Sequence, residues 1–423
     1  MLQQGVSSTV CKNMNIFISG ASGNVGIEVL KCLLHEKKKN ALLQTSPTSS
    51  SNANEPSSLR RRRRRMNLFA GVRQINASTI SKFHKELFNN DPSIQVVQPS
   101  ENQPFAIFKH QRREDAPNHS EDDLFLIRIM PFDFKQECGG EVFKAMMEGK
   151  GINEWRMSFQ ESDDACNCGY CCGGFHRLFL MRPPDLSNIQ RDMKPFLGYI
   201  TTSSTTSLTT TTPTKTYSLP ELIVFMSVLG ANKMVPHFKM EQILMEHSKQ
   251  VPYVFLRPSF FMQNLTTTHL REIRDESQLF MPAGNGSTSF IDVRDIAQVT
   301  CQILMEENCE KFANKAFDLT GSEALTYFEV ARKLSEACGR SIVYANPSIP
   351  KFMYRTWKNN PDLPFSYLMV ATALYTVCRF GKAGRITQDL ETLLGRKPFT
   401  MDQFIQDYKH LFNGNTLQIN SGK

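Results

Sequence analysis

Three groups of residues have types and spacings that could do chemistry. Gly20, Ala21, Ser22, Gly23, Asn24, Val25 and Gly26 set three glycines at the spacing of a dinucleotide-binding turn. In such a turn the first glycine permits a tight bend, the second lets backbone N–H groups approach a pyrophosphate, and the third lets helix and strand pack closely. The bound anion then sits on the positive end of the helix that follows. His237 and Glu241 form the second group: the i, i+4 spacing puts them on one helical face, where an imidazole could serve as a proton donor near neutral pH. The plainer reading of the same pair is a helix-start histidine beside a surface glutamate. The third group packs Cys166, Cys168, Cys171 and Cys172 close to His176. Soft thiolates could hold zinc or copper(I), but a structural zinc site usually draws two cysteine pairs from separated elements. No metal site is assigned, and the cluster reads as an oxidation-sensitive loop.

The elements that must position these residues can be read from periodicity. Met14 to Ser19 is a β-rich run ending on Gly20, and apolar residues from Val25 to Leu34 recur at helical spacing, so the glycines lie between a strand and a helix. Further strand-length runs follow at Leu68–Val72, Leu124–Met130, Leu178–Met181, Leu222–Met226 and Tyr253–Leu256, with helical segments such as Thr79–Phe88 and Met240–Glu246 between them. Ile94–Val97 competes with Leu124–Met130 as the third strand. Strands alternating with helices predict an α/β fold, a Rossmann-type doubly wound parallel sheet. Its core spans 14–257, with flexible insertions at about 37–65, 99–123, 158–175 and 201–218. A smaller substrate lobe, mixed with the last core elements, spans 258–412, and 413–423 forms a tail. The apolar run Phe365–Cys378 is 14 residues long. That falls short of the roughly 20 that span a bilayer, so the run reads as a buried helix and no membrane span is expected.

Charge narrows the partner classes. The net charge of +8 is carried entirely by residues 37–65, where Lys37, Lys38, Lys39 and Arg60 to Arg65 face one acid, Glu55. A folded nucleic-acid reader would spread basic residues over an element of its fold. Any nucleic-acid contact or nuclear targeting therefore belongs to the Arg60–Arg65 loop. The eleven cysteines, and the lack of an apolar leader in Met1 to Asn13, point to a reducing, cytoplasmic setting. The basic stretch also hides a spacing. Arg73 lies 53 residues past Gly20, or 24 once the 29 residues of 37–65 are set aside. Such folds place an acid for the ribose hydroxyls, or an arginine for a 2′-phosphate, about 20 residues past the turn. Arg73 stands without an acid beside it, which selects NADP(H) ahead of NAD(H).

Several motifs occur in order: the glycine turn, Leu180-Met181-Arg182-Pro183-Pro184, Ser227-Val228-Leu229-Gly230-Ala231, Leu256-Arg257-Pro258-Ser259-Phe260-Phe261-Met262-Gln263-Asn264, Ser289 to Ala297, and Leu319 to Thr326. Together they resemble the NmrA-like family of NAD(P)-binding proteins, atypical short-chain dehydrogenase/reductases. The resemblance runs from about Asn15 to Tyr408. It implies a Rossmann core with a small C-terminal substrate lobe, and a group that includes NADPH-dependent quinone and azo reductases beside catalytically silent sensors of the NADP redox state. Carried over by position, it puts Gly20 to Gly26 around the pyrophosphate and Arg73 near the adenosine phosphate. Asp133 and Phe134 would flank the adenine, and Arg182 and Pro183 would line the ribose and nicotinamide side.

Typical enzymes of that superfamily use Tyr-x-x-x-Lys as the proton donor, and both residues are missing after Ser227, where His237 takes the place of the candidate acid. Phe260, Phe261, Met262 and Asn264, with Phe280 and Met281, supply apolar and aromatic residues suited to a flat acceptor. The expectation is an oxidoreductase that passes hydride from NADPH to a small conjugated acceptor such as a quinone. The alternative is a silent NADP(H) sensor that regulates a partner protein.

Overall fold

A computed structural model describes residues 13–45, 65–99, 105–110, 125–136, 139–147, 174–183, 186, 188–202, 219–233, 235–361 and 364–414. They divide into two compact units, one drawn from Met1–Met226, Lys233–Phe255 and Thr300–Lys315, the other from Ser227–Asn232, Leu256–Val299 and Ala316–Lys423.

The strands in chain order are β1 (Asn13–Ile18), β2 (Arg65–Val72), β3 (Ile94–Val97), β4 (Ala106–His110), β5 (Phe125–Pro131), β6 (Arg177–Met181), β7 (Leu222–Met226), β8 (Tyr253–Pro258), β9 (Phe260–Phe261), β10 (Gln278–Leu279), β11 (Ser287–Ile291), β12 (Lys315–Leu319), β13 (Ala324–Thr326) and β14 (Val343–Tyr344). A nine-stranded sheet runs in the order β12-β8-β7-β6-β1-β2-β5-β4-β3. β1 pairs in parallel with β2 and β6, β2 with β5, and β6 with β7. The parallel place beside β2 thus goes to β5, and Ile94–Val97 is an edge strand antiparallel to β4. The run 99–123, expected as a loop, therefore contains a strand. Parallel strands buried on both faces read as continuous apolar runs, and β6, Arg177-Leu-Phe-Leu-Met181, is buried at every position.

Phenylalanines fill the first unit's core. The Phe17 ring lies 4.9, 5.0 and 5.1 Å from those of Phe132, Phe143 and Phe175. Beside it Gly71 is required, because a Cβ there would sit 2.5 Å from the Phe17 ring. Truncating such a buried ring costs about 3–5 kcal/mol. The helix after the glycine turn runs Asn24–Thr45, well past the expected start of an insertion at 37. Lys37 to Lys39 and the Ala-Leu-Leu-Gln that follows Asn40 are good helix formers, which carry the helix on. Arg65 opens β2, while Arg60 to Arg64, the cysteine cluster 166–172 and the Thr/Ser tract 203–218 lie outside the described residues.

In the second unit, β13-β11-β9 form one small sheet and β10-β14 another. Helices Tyr327–Cys338 and Met401–Phe412 both start in capping boxes, Thr326 with Glu329 and Thr400 with Gln403, and bury Val330, Leu334, Phe404 and Phe412. Each box satisfies two N–H groups that a helix start leaves without an intrahelical partner. The glycine of the Leu319-Thr320-Gly321 motif is explained by close approach, since a Cβ on Gly321 would lie 1.9 Å from the Phe290 carbonyl oxygen. Helix Phe365–Arg379 departs from expectation: it buries Leu368, Thr372, Tyr375 and Cys378 but leaves Met369, Val370, Leu374 and Val377 exposed. Among the described residues no helix is long and apolar enough to cross a membrane.

Candidate functional site

The glycine turn sits at the carboxyl end of β1, where the backbone is held from three sides. Ser19 N–H donates to the Phe179 carbonyl at 2.9 Å and the Ser19 hydroxyl accepts from Met181 N–H at 2.8 Å, fastening the turn to β6. Ala21 N–H reaches the Gly71 carbonyl at 3.4 Å, on the β2 side. Gly20 has φ +60°, the left-handed region that favours glycine. Gly23 N–H closes the turn on the Gly20 carbonyl at 2.9 Å, and Gly26 makes the closest approach: a Cβ there would lie 2.5 Å from Gly20 O and 2.7 Å from Ala21 Cα. Helix Asn24–Thr45 therefore starts hard against the turn, and the cradle in front of its positive end is walled by bare backbone. Those features fit the pyrophosphate of a dinucleotide. Ser22 offers its carbonyl to Lys82 at 2.5 Å, so the neighbouring helix Ala77–Phe88 ties back to the turn.

Arg73 follows β2 directly and is exposed. Asp133 and Phe134 follow β5 and separate in role. The Phe134 ring is 4 % exposed and packs edge-on against Phe132 and Phe196 at 4.8 and 5.2 Å. It is a core residue with no face left for an adenine, which corrects the expectation. Asp133, half-buried, caps its own loop: Oδ1 accepts from Lys135 N–H at 3.0 Å.

Arg182 and Pro183 lie just beyond β6. The Arg182 guanidinium reaches the Pro183 and Leu186 carbonyls at 3.0 and 2.6 Å and presents Nε to His237 Nε2 at 3.5 Å. His237 stands in the first turn of helix Pro236–Glu246, its ring stacked 6.3 Å from Phe225 of β7. Burial, and then the positive charge of Arg182, pull its imidazole from the usual 6.5 down to about 3. At neutral pH the ring is uncharged. With Nε2 turned to a donor, the remaining proton is on Nδ1, an assignment made from the hydrogen-bond pattern. Nδ1 is buried and lacks a partner. His237 can thus donate a hydrogen bond, but it holds no imidazolium proton to pass on, which removes the expected general-acid role. Glu241 shares its helical face, as the spacing predicted, but that face turns inward: Glu241 is fully buried, not a surface glutamate.

His176 is also accounted for locally, its Nδ1 accepting Asn15 N–H at 3.0 Å. Sequence reasoning missed the Arg182–His237 contact, and it missed Ser227, whose buried hydroxyl lacks a partner at the end of β7. The signal for Ser227 was its place directly after a fully apolar strand.

In the second unit Phe260 and Phe261 form β9, paired in parallel with Phe290 and Ile291, and both are half-buried. Asn264 is half-buried, and its carbonyl accepts from His269 N–H at 2.9 Å. Met262, Phe280 and Met281 are core residues at 0, 3 and 0 % exposure, so the expected apolar lining shrinks to Phe260, Phe261 and Asn264. The Gln263 amide donates to Asp292 at 2.8 Å and accepts from Val293 N–H at 3.0 Å. Two of the sequence motifs are therefore joined by one buried side chain.

A parallel sheet with a backbone cradle between its first strand and first helix defines the class: a Rossmann-type dinucleotide-binding fold. The chain's similarity to known proteins is narrower and agrees. Residues 230–405 match the NmrA-like family, which bears out the resemblance carried by the motifs. An NAD(P)H azoreductase from Xenophilus azovorans is 44% identical over 160 residues, 38% of this chain and 54% of that protein. A festuclavine dehydrogenase from Aspergillus fumigatus is 29% identical over 162 residues, 38% of this chain and 55% of the relative. The chain thus spans about half the length of the curated relatives it matches. Triphenylmethane reductase from Citrobacter sp., solved with NADP(H), superposes with a TM-score of 0.56 at 16% identity over 93% of this chain and 99% of that one. An NADPH-dependent quinone oxidoreductase from Escherichia coli gives 0.57 at 15% identity over 94% and 100%. At those identities the likeness is one of fold.

Proposed function

We propose that the protein is an NADP(H)-dependent oxidoreductase that transfers hydride to a small conjugated acceptor of the quinone or azo kind. The observation that carries this reading is the backbone cradle at Gly20–Gly26, closed so tightly that no side chain fits at Gly26. The azoreductase similarity supports the acceptor class. When bound, the nicotinamide supplies the hydride. The turn and the start of helix Asn24–Thr45 hold the pyrophosphate, and the exposed Arg73 donates to the 2′-phosphate. Arg182 brings fixed positive charge to the end of β6, with the neutral His237 beside it. Since neither a Tyr-x-x-x-Lys pair nor an imidazolium is present, the proton that completes reduction comes from solvent, which suits acceptors whose reduced form is a stabilised anion.

The same lack of an internal acid favours one second reading, a silent NADP(H) sensor that signals to a partner protein. Calorimetric titration with NADPH and NADH, followed by single-turnover oxidation of bound NADPH over a panel of quinones, diazo dyes and enones, separates the two. Binding with turnover of at least one class is expected. Tight binding with no oxidation of NADPH by any acceptor would leave the sensor. Arg73→Ala should weaken NADPH much more than NADH, and equal loss of both would remove Arg73 from the phosphate site.

A further inference from the structure

Helix Phe365–Arg379 is apolar on two opposite stripes. On one, Leu368, Thr372, Tyr375 and Cys378 are buried, and the helix is pinned there by the Tyr375 hydroxyl, 2.6 Å from His269 Nε2, with Glu272 3.1 Å from His269 Nδ1. On the other, Met369, Val370, Leu374 and Val377 are 43–56% exposed, and Phe365 and Phe380 at the two ends are 66% and 72% exposed. A water-facing helical stripe ordinarily carries polar and charged residues. Among the described side chains this stripe carries one exposed polar residue, Ser366. Helix Ile349–Asn359 packs alongside through Phe352, 5.7 Å from Tyr375, and turns Tyr354 and Trp357 outward at 61% and 57% exposure.

Basic residues flank the stripe in the sequence. Residues 349–386 contain Lys351, Arg355, Lys358, Arg379, Lys382 and Arg385 against a single acid, Asp362. Arg355 is engaged by Glu276 and the Phe280 ring, and Arg385 by Asp318 at 3.2 Å. Lys351, Lys358, Arg379 and Lys382 are all exposed. An exposed aliphatic stripe on a helix flanked in the chain by exposed tryptophan, tyrosine and lysine residues matches the composition of surfaces that lie in the bilayer interface. Anionic headgroups attract such cations, whereas a second copy meeting this face across a twofold would bring the cations against themselves.

We propose that this face docks on an anionic lipid bilayer, with helix Phe365–Arg379 lying in the interface plane and its aliphatic stripe at the headgroup–acyl boundary. At 15 residues the helix is too short to span, so the contact is peripheral. Docking would also bring the second unit to lipid-dissolved quinones, a consequence that rests on the reductase reading; the lipid test below does not.

The test is flotation of the full chain with phosphatidylcholine vesicles, with and without phosphatidylserine. Binding is expected only with phosphatidylserine, and it should fall with added salt as the Debye length shrinks. Leu374→Glu should lower the bound fraction roughly tenfold or more. Lys358→Ala and Lys382→Ala should lower it about fivefold each. All three side chains are exposed, so an unchanged circular dichroism spectrum and melting midpoint confirm that the variants fold. The proposal is overturned if the wild type ignores phosphatidylserine vesicles, or if Leu374→Glu floats as well as wild type. It is equally overturned by a concentration-dependent dimer that Leu374→Glu dissolves, because a second copy would then cover the face.

Discussion

Replacing His237 by glutamine should remove much of the protein's sensitivity to mild acid. In the folded chain the imidazole takes up a proton only at about pH 3, because burial and the Arg182 charge oppose it, while in the unfolded chain it does so at its usual 6.5. The unfolded state therefore binds more protons below pH 6.5, and stability falls as pH drops through the window from 6.5 toward 3. Each pH unit inside that window costs about 1.4 kcal/mol, so lowering the pH from about 8 to about 5 removes roughly 2 kcal/mol through this one group. The figure barely depends on the folded value so long as that value lies below about 4. Urea unfolding followed in the first unit at both pH values, on wild type and on His237→Gln, isolates the group, since the other histidines cancel in the difference. Glutamine keeps a donor but forfeits stacking on Phe225, so the variant starts less stable and then loses roughly 2 kcal/mol less on acidification. An acid sensitivity equal in both proteins to within about 0.5 kcal/mol would refute the neutral, buried histidine. The hydrogen-bonding role assigned to it would fall as well.

Three other substitutions test the packing logic. Gly26→Ala must push a Cβ into Gly20 O and Ala21 Cα at 2.5 and 2.7 Å, backbone that cannot step aside. It should abolish NADPH binding in calorimetry and cost about 1–3 kcal/mol; normal affinity would mean that the helix and turn are not in contact. Tyr375→Phe leaves His269, 4% exposed, without the hydroxyl at 2.6 Å, and should cost about 1–3 kcal/mol in chemical denaturation; no loss would show that the pair does not hold the helix. Gly321→Ala would set a Cβ 1.9 Å from the Phe290 carbonyl and so separate β11 from the Leu319-Thr320-Gly321 turn, read as lost amide-exchange protection at Phe290; unchanged protection would show the turn has room to spare.

Much of the fold was legible because the parallel strands are continuous apolar runs bounded by turn residues, and β7 falls on Leu222–Met226, the predicted bounds. The helix Asn24–Thr45 was cut short because a lysine run was read as the start of a solvated loop, whereas lysine is a good helix former when its neighbours are alanine, leucine and glutamine. β4 was missed because Ala106 to His110 is a short strand in a polar stretch, and its pairing between β3 and β5 depends on those neighbours rather than on local pattern. Phe365–Cys378 was misjudged for another reason. A run in which nearly every residue is apolar has no polar face to mark the side toward water, so periodicity cannot distinguish a buried helix from one that covers only half of itself.

The candidate site follows the same division between local and long-range information. The Gly20–Gly26 turn was legible because each glycine answers a constraint within a few residues of itself. Which side of a residue faces the core was not legible after β5: Phe134 was expected beside the adenine, and its burial against Phe132 and Phe196 is set by packing between distant segments. His237 was out of reach for sequence. Its residue type offered a proton donor, but its charge state is set by burial beside Phe225 and by a guanidinium 55 positions away. The environment turns a residue suited to acid catalysis at neutral pH into one suited only to hydrogen bonding there. On the proposed reductase reading, that change favours acceptors that can take hydride first and a solvent proton afterwards, as quinones and azo compounds can and simple ketones cannot.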